Sequence, residues 1–184
     1  TEGAELAMEN YRRFRRLHVT ARDESPGGEF SLLLESYGDP RRRDEFSATA
    51  YLRLDKARLK RLQPLLPPAL RMPDAALSGE LWARLSEEGV VSLSGALRAP
   101  ELDPRAFWPE RTQLQPLNDI DLRFGAEWAG DRGSLWLDEL RCQWFGQPLE
   151  LERVRVDAGR GEGVNRIRAG AEYLDVGGLA GALQ

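Results

Sequence analysis

The chain of 184 residues has very little cysteine and histidine from which to build a reactive site. Its single cysteine, Cys142, cannot form an intrachain disulfide, and its single histidine, His18, cannot contribute to a histidine-rich metal cage. No Gly-x-Ser-x-Gly elbow occurs, and no glycine-rich loop leads from a strand into a helix. The sequence therefore provides no catalytic residue, metal site or cofactor site, and we expect a protein that is not an enzyme.

Long apolar runs and a strong positive charge are also absent. No stretch reaches the roughly 18 consecutive apolar residues of a membrane-spanning helix. With 26 basic and 30 acidic residues the formal charge is −4, which disfavours binding of nucleic acid over a large surface. The first residues show neither an initiator methionine nor a signal pattern. We therefore expect residues 1–184 to be a single β-rich fragment of a longer chain, with any membrane anchor outside it.

The sequence does contain extended alternation of apolar and polar residues. Apolar residues occupy every second position after Phe46 and again after Ile120. This period is typical of strands with one apolar and one solvated face. Similar rows begin at Ala75, Val91 and Ile167, and short turn-rich segments separate them. Because a parallel crossover needs a dozen or more residues, the pattern predicts an antiparallel meander of about eight or nine strands.

Two of these strands change their apolar phase midway. Leu137 is followed by Leu140, and Leu151 is followed by Val154, so the spacing is three instead of two. One extra residue in each strand, a β-bulge, would return the later residues to the same face. Bulges also curve a sheet. We therefore predict a mainly β fold, an antiparallel meander whose sheet is curved.

Two segments have the leucine spacing of short helices. Asp55 is placed to cap a helix over residues 56–66, and Asp175 to cap one over residues 176–183. In both places a Leu-Asp pair follows a strand, which indicates a repeated unit. The repeat-like joints are predicted near 54–66 and 174–183.

Four other clusters contain residues that could carry chemistry. Asp119 and Asp121 share one strand face, which is explained by a solvated outer face of the sheet. Gly159 begins a glycine-rich run, which is explained by the tip of a hairpin. Residues 12–16 interleave four arginines with an aromatic side chain, the composition of a nucleic-acid or anionic-lipid patch. Net acidity favours a locally solvated face for this run and for the arginines at 41–43.

A family resemblance is carried by four runs: Asn118-Asp-Ile-Asp-Leu-Arg-Phe, Gly133-Ser-Leu-Trp-Leu-Asp-Glu-Leu-Arg, Gln147-Pro-Leu-Glu-Leu and Ala171-Glu-Tyr-Leu-Asp-Val-Gly-Gly-Leu-Ala-Gly-Ala-Leu. Together with Leu-Pro-Pro at 66–68, they resemble the AsmA-like envelope protein family, in particular its YhdP type. The resemblance covers most of residues 29–183. It implies that the meander is curled into an open groove, a β-taco-like repeat module, in the periplasm, in a protein anchored to the inner membrane.

The function that the resemblance implies is intermembrane phospholipid transport in the Gram-negative cell envelope, with acyl chains on the apolar rows. Its implied partners are phospholipid, the inner and outer membranes through other parts of the chain, and envelope proteins; neither nucleic acid nor a cofactor is expected. The alternative is a closed β-sandwich that serves as an envelope scaffold or protein-binding module. The residues expected to line the groove are Phe46, Ala48, Ala50, Leu52, Leu77, Leu81, Leu93, Ile120, Leu122, Phe124, Leu135, Leu137, Ile167 and Ala169.

Overall fold

The structure, a computed structural model, describes residues 3–22, 28–58, 60, 75–106, 113–161, 164–170 and 173–174. The described strands form one antiparallel sheet of eleven strands. Strands β1 to β10 lie side by side in chain order, and β11 also pairs with β9. Their bounds are β1 Gly3–Tyr11, β2 Phe14–Arg22, β3 Glu29–Tyr37, β4 Ser47–Arg58, β5 Ala76–Leu85, β6 Val90–Leu102, β7 Leu117–Ala129, β8 Arg132–Trp144, β9 Gln147–Gly161, β10 Val164–Gly170 and β11 Tyr173–Leu174.

This architecture confirms the prediction of a mainly β, antiparallel meander. The sheet is open, because β1 is paired only with β2 and β10 only with β9. The closed sandwich is therefore not the arrangement of the described strands. Regular helical structure in the described residues is limited to the short 3₁₀ turns Arg43–Glu45 and Pro104–Ala106, with Lys60 in a further 3₁₀ position.

The sheet has more strands than the eight or nine that the sequence predicts, mainly because the pattern does not reveal the first hairpin. Tyr11 pairs with Phe14, so only Arg12 and Arg13 connect β1 to β2. A tight hairpin of this kind usually contains glycine or asparagine, since its backbone visits positive φ. Here Arg12 itself adopts φ 55°. The turn therefore carried none of the usual sequence signals.

Of the two bulges predicted from the apolar phase shifts, the one in β8 appears as a register shift against β7, whereas β9 changes phase without a register shift against β8. β8 has one extra residue relative to β7, Asp138, and the register shifts at that point. On β9 the opposing residue, Arg153, adopts φ 51°. Because both strands change phase together, Leu140 pairs with Leu151 and Leu137 pairs with Val154. Cross-strand partners point to the same face of a sheet, so the apolar rows continue past the bulge.

The helix predicted over residues 56–66 does not begin at Lys56, and this prediction is corrected. β4 continues as a strand to Arg58, and its register against β5 shifts between Leu54 and Ala57. Lys56 adopts φ 49° in this bulge, and its N–H donates a hydrogen bond of 2.9 Å to the Ser78 hydroxyl. Hydrogen bonding to β5 keeps this segment extended, which leucine spacing alone cannot reveal.

The Leu-Asp joint at 54–55 is consequently a bulge within a strand. Asp55 lies opposite Glu29 of β3 in the pairing of these strands, where a helix cap was expected. Residues 59 and 61–66, like the predicted helix over 176–183, lie outside the described residues.

A small buried cluster occupies one end of the apolar side of β6 to β9. It consists of Ala99, Ile120, Cys142 and Leu149, which are at most 8% exposed. The surrounding leucines of β5 to β9 and Trp144 pack against it. Cys142 is 5% exposed, and burial raises the pKa of its thiol. It is therefore a packed core residue, as its phase with Leu140 indicates.

Gly79 of β5 has a backbone that other residues would not tolerate. It adopts φ 144°, and a Cβ at this position would collide with the carbonyl oxygen of Ala96 on β6. The glycine therefore permits the close approach of these two strands beside the bulge in β4.

We expect Gly79→Ala to lower the free energy of unfolding by about 1–3 kcal/mol through backbone strain and the clash with β6. Urea denaturation followed by circular dichroism measures this change. Gly170→Ala is the control, because no atom lies within 4 Å of its ideal Cβ position. Equal stabilities of the two variants would contradict the described packing of β5 against β6.

We also expect Cys142 to react with iodoacetamide at least about tenfold more slowly in the folded protein than in urea, because alkylation requires an accessible thiolate. The rate is measured by mass spectrometry of the single labelled site. Equal rates in the folded and unfolded protein would contradict the burial of the thiol.

Candidate functional site

The register of the sheet places three unbroken apolar rows on one side, here called the apolar face. Each row crosses at least nine strands, and its members are direct cross-strand partners. The first row is Met8, Leu17, Leu34, Ala50, Ala83, Leu93, Ala126, Leu135 and Val156. The second is Leu6, Val19, Leu32, Leu52, Leu81, Gly95, Phe124, Leu137 and Val154; the third is Ala4, Ala21, Phe30, Leu54, Gly79, Leu97, Leu122, Leu140 and Leu151.

The structure brings the sequence-predicted lining residues to this one face, with a single exception. Phe46 precedes β4 and lies outside the paired rows, although its backbone is extended. The backbone of Ile167 is in register with Ala158, and that of Ala169 with Val156, so β10 continues the same order. Ile120 belongs to the buried cluster, and Leu77 packs against that cluster. Ala48 pairs with Ser36 and Leu85, beside the first row. The remaining predicted residues of β4 to β8 occupy the three rows.

Much of the apolar face away from the buried cluster is open to solvent. Leu6 and Met8 of β1 are 70% and 73% exposed, and Leu135 and Trp128 are 49% and 45% exposed. Clustered exposure of large apolar side chains marks a surface that binds another apolar surface or ligand. The face therefore has the properties of a binding surface for an apolar molecule.

Glycines in the rows do not leave empty space in the sheet. The position of a Cβ at Gly95 is already occupied by the side chain of Leu81, with Phe124 at 3.4 Å. Trp128 covers Gly133 in the same way. Large side chains that fold over a cross-strand glycine compensate for its missing side chain. These two glycine positions of the apolar face are thus covered by leucine and tryptophan side chains.

The opposite side, here called the polar face, carries cross-strand ion pairs. Arg98 binds Asp121 at 3.0 Å. Arg141 binds Glu139 and Glu150, each at 2.7 Å, and both carboxylates raise the pKa of this guanidinium. Exposed pairs of this kind contribute little stability individually. Because their charged groups are hydrated, this face stays in contact with water, and the two sides of the sheet differ sharply in polarity.

The paired aspartates considered as a reactive site are engaged in this polar network. Asp121 is bound by Arg98, and Asp119 accepts a hydrogen bond of 2.9 Å from Gln143. His18 is exposed and lies 3.0 Å from the Ser31 hydroxyl. These contacts support the interpretation of a solvated strand face.

A shallow depression on the polar face was not recognised from the sequence. It has a volume of about 360 Å³, and its lining includes Tyr51 and Trp82, whose ring centroids are 5.3 Å apart. Desolvation raises the pKa of Tyr51, and a hydrogen bond to Glu80 raises it further. Both aromatics occupy polar-phase positions of their strands, which is the signal that could have identified them.

A second feature combines two arginine runs that are about 25 residues apart in the sequence. The turn between β1 and β2 and the loop after β3 enclose a cleft of about 690 Å³, here called the arginine cleft. The Gly38 N–H donates a 3.0 Å hydrogen bond to the Arg13 carbonyl, which joins loop and turn. The charged residues that line the cleft are Arg12, Arg13, Arg15, Arg41, Arg42, Asp39 and Glu45.

Other site types are not seen in the part of the chain that the structure describes. Its histidine, cysteine and acidic side chains form no group of three or more suited to holding a metal ion. None of its helices has the length and apolarity needed to cross a bilayer. The candidate sites are thus the apolar face, the depression and the arginine cleft.

Comparison with known proteins adds no relative to these observations. No protein-family model, no curated protein and no solved structure matches the chain.

Proposed function

We propose that this chain binds the acyl chains of phospholipids along its apolar face and contributes to phospholipid transport between the membranes of a Gram-negative envelope. The observation that carries the proposal is the set of three unbroken apolar rows on an open sheet. The periplasmic location, the inner-membrane anchor in other parts of the chain and the second membrane are also proposed, and they rest on the resemblance to AsmA-like envelope proteins alone. The wetted polar face would remain in solvent.

The physical basis of the proposal is burial of hydrocarbon against hydrocarbon. Each methylene group removed from water contributes about 0.8 kcal/mol, so an acyl chain gains several kcal/mol by covering a few exposed leucines. Leu6, Met8 and Leu135 offer such surface. Binding of this kind needs directional contacts only at the headgroup, which allows a lipid to move between neighbouring positions.

The rows provide a path of useful length. Nine strands of a row are separated by eight spacings of about 4.8 Å, which gives roughly 38 Å. No row contains a charged residue. A curled sheet would therefore offer an apolar route across the strands, and the bulges in β4, β7 and β8 favour such curvature.

The second candidate is a protein-binding module of the envelope. The depression at Tyr51 and Trp82 favours it, because half-exposed aromatics with adjacent polar groups are common in protein interfaces. This alternative uses the polar face, so the two candidates predict ligands on opposite sides of the sheet.

Trp128 and Trp82 provide a matched pair for testing the proposal. Each is 45% exposed, Trp128 lies on the apolar face, and Trp82 lies on the polar face. We replace each in turn with the photoreactive residue p-benzoylphenylalanine, irradiate cells that produce the protein, and identify adducts by mass spectrometry. We expect phospholipid adducts from position 128 and none from position 82.

Lipid adducts at both positions in equal yield, or at neither, would contradict the proposal. Protein adducts at position 82 without lipid at position 128 would favour the second candidate. Circular dichroism of both variants establishes that the sheet is retained.

A charge on the apolar face should abolish lipid retention. We expect Leu135→Glu to reduce the phospholipid that co-purifies with the protein by more than about tenfold, because an acyl chain would have to desolvate the carboxylate. Ser94→Glu is the control, since Ser94 is exposed on the polar face. The measurement is mass spectrometry of extracted lipid. Equal lipid in the two variants would count against the apolar face as the binding surface.

A further inference from the structure

We propose that the arginine cleft binds a phosphate ester anion, supplied by the headgroup of a phospholipid whose acyl chain lies on the adjacent apolar rows. That the phosphate belongs to a phospholipid rests on the proposed function. The anion site itself rests on the residues of the cleft.

The cleft carries an excess of positive charge. Five arginines line it, and only Asp39 and Glu45 oppose them, which leaves three positive charges in excess. Glu45 is shared, because it binds Arg42 at 3.0 Å and Arg13 at 3.5 Å. Several guanidinium groups crowded together repel one another, and a bound anion removes that repulsion. This excess is notable in a chain of net charge −4.

Three of these arginines are available to a ligand. Within the described residues, Arg12, Arg15 and Arg41 form no ion pair with a carboxylate, whereas Arg16 and Arg98 elsewhere on the sheet do. Arg12 stacks on the Tyr11 ring at 5.3 Å, which orients its guanidinium. Guanidinium groups bind phosphate oxygens through two parallel N–H donors, so arginine is better suited to this anion than lysine.

The backbone around the cleft is ordered by its own hydrogen bonds. The side chain of Asp39 accepts a 3.0 Å hydrogen bond from the Arg41 N–H, and its carbonyl accepts one of 2.9 Å from the Arg42 N–H. Asp39 therefore shapes the loop that presents the two arginines. Such preorganisation reduces the entropy lost when a ligand binds.

The position of Arg15 connects the cleft to the apolar face. Arg15 is paired with Asn10 on β1 and with Ser36 on β3, and the next cross-strand set along these strands is Met8, Leu17 and Leu34. The apolar rows therefore end in a polar, positively charged set at this end of the sheet. From Met8 to Ala4 is a distance of about 14 Å along β1, close to the roughly 15 Å of hydrocarbon in one bilayer leaflet.

This order of groups matches a phospholipid laid along the first two strands. Its acyl chain would contact Met8 and Leu6, which are the most exposed of the large apolar side chains described. Its phosphate would then reach Arg15 and the neighbouring arginines of the cleft. A free phosphate ester would satisfy the cleft but leave the apolar rows uncovered.

The test uses two double variants with the same loss of charge. Arg15→Gln with Arg41→Gln removes two unpaired arginines from the cleft, and Arg53→Gln with Arg84→Gln removes two exposed arginines from the polar face. One arm measures co-sedimentation with phosphatidylcholine vesicles that contain phosphatidylglycerol. The other arm measures binding of glycerol phosphate by calorimetry. For every variant we also record circular dichroism and the yield of lipid adduct formed by p-benzoylphenylalanine at position 128.

We expect the cleft variant to bind the vesicles about 25-fold more weakly, because each basic residue near an anionic surface contributes a factor of about five. The polar-face variant should bind them nearly as well as the unmodified protein. Glycerol phosphate should show the same dependence on the cleft arginines, with weaker binding at high salt.

The outcomes separate this proposal from the proposed function. If glycerol phosphate binds through the cleft arginines but vesicle binding does not depend on them, the anion site stands and its lipid source is overturned. If adducts form but neither arm depends on the cleft arginines, the cleft proposal is overturned and the apolar face stands. Arginine-dependent binding of a single-stranded oligonucleotide, with no binding of either phosphate ester, would also overturn it in favour of a nucleic-acid surface.

Discussion

The constraint on which the whole structure depends is that neighbouring strands must keep their apolar side chains on the same side of the sheet. Side chains alternate along a strand with a period of two, so one inserted residue inverts everything after it. The chain meets this constraint by placing its irregularities together. Asp138 and Arg153 change the phase of β8 and β9 at the same point, and the rows pass through without interruption. Because the two strands change phase at the same point, one face of the sheet remains apolar and the other remains polar.

The separation of charge follows from that arrangement. Ion pairs such as Arg98 with Asp121 and Arg141 with Glu150 lie between strands on the polar face, where water screens them. They add little to the free energy of folding, but burying that side of the sheet would require these charged groups to be desolvated, so it stays in water. The apolar side is then the surface with most to gain from a ligand. In the arginine cleft, by contrast, the described acidic residues neutralise only part of the positive charge, and this charge borders the apolar rows.

The sequence was informative wherever a property depends on neighbours along a strand. Alternation identified the meander and assigned Leu122, Leu135 and their counterparts to one face, and the step from Leu137 to Leu140 located a bulge. It failed where the answer lies in another strand. The helix proposed to start at Lys56 was wrong because pairing with β5 holds that segment extended. The arginine cleft could not be foreseen, since its two runs meet only when the loop after β3 folds onto the first turn.

The meander also determines how the molecule would come apart. Extensive contacts in the described part of the chain join only strands that are adjacent in the sheet. Stability in such an array is a sum of nearest-neighbour terms along one dimension, as in repeat proteins. Opening therefore begins at a border and advances strand by strand, so amide exchange should be faster in β1 and β10, which have a single neighbour each, than among β6 to β8. The strand with the most exposed leucine and methionine, β1, is thus one of the two that can detach and pair again most readily.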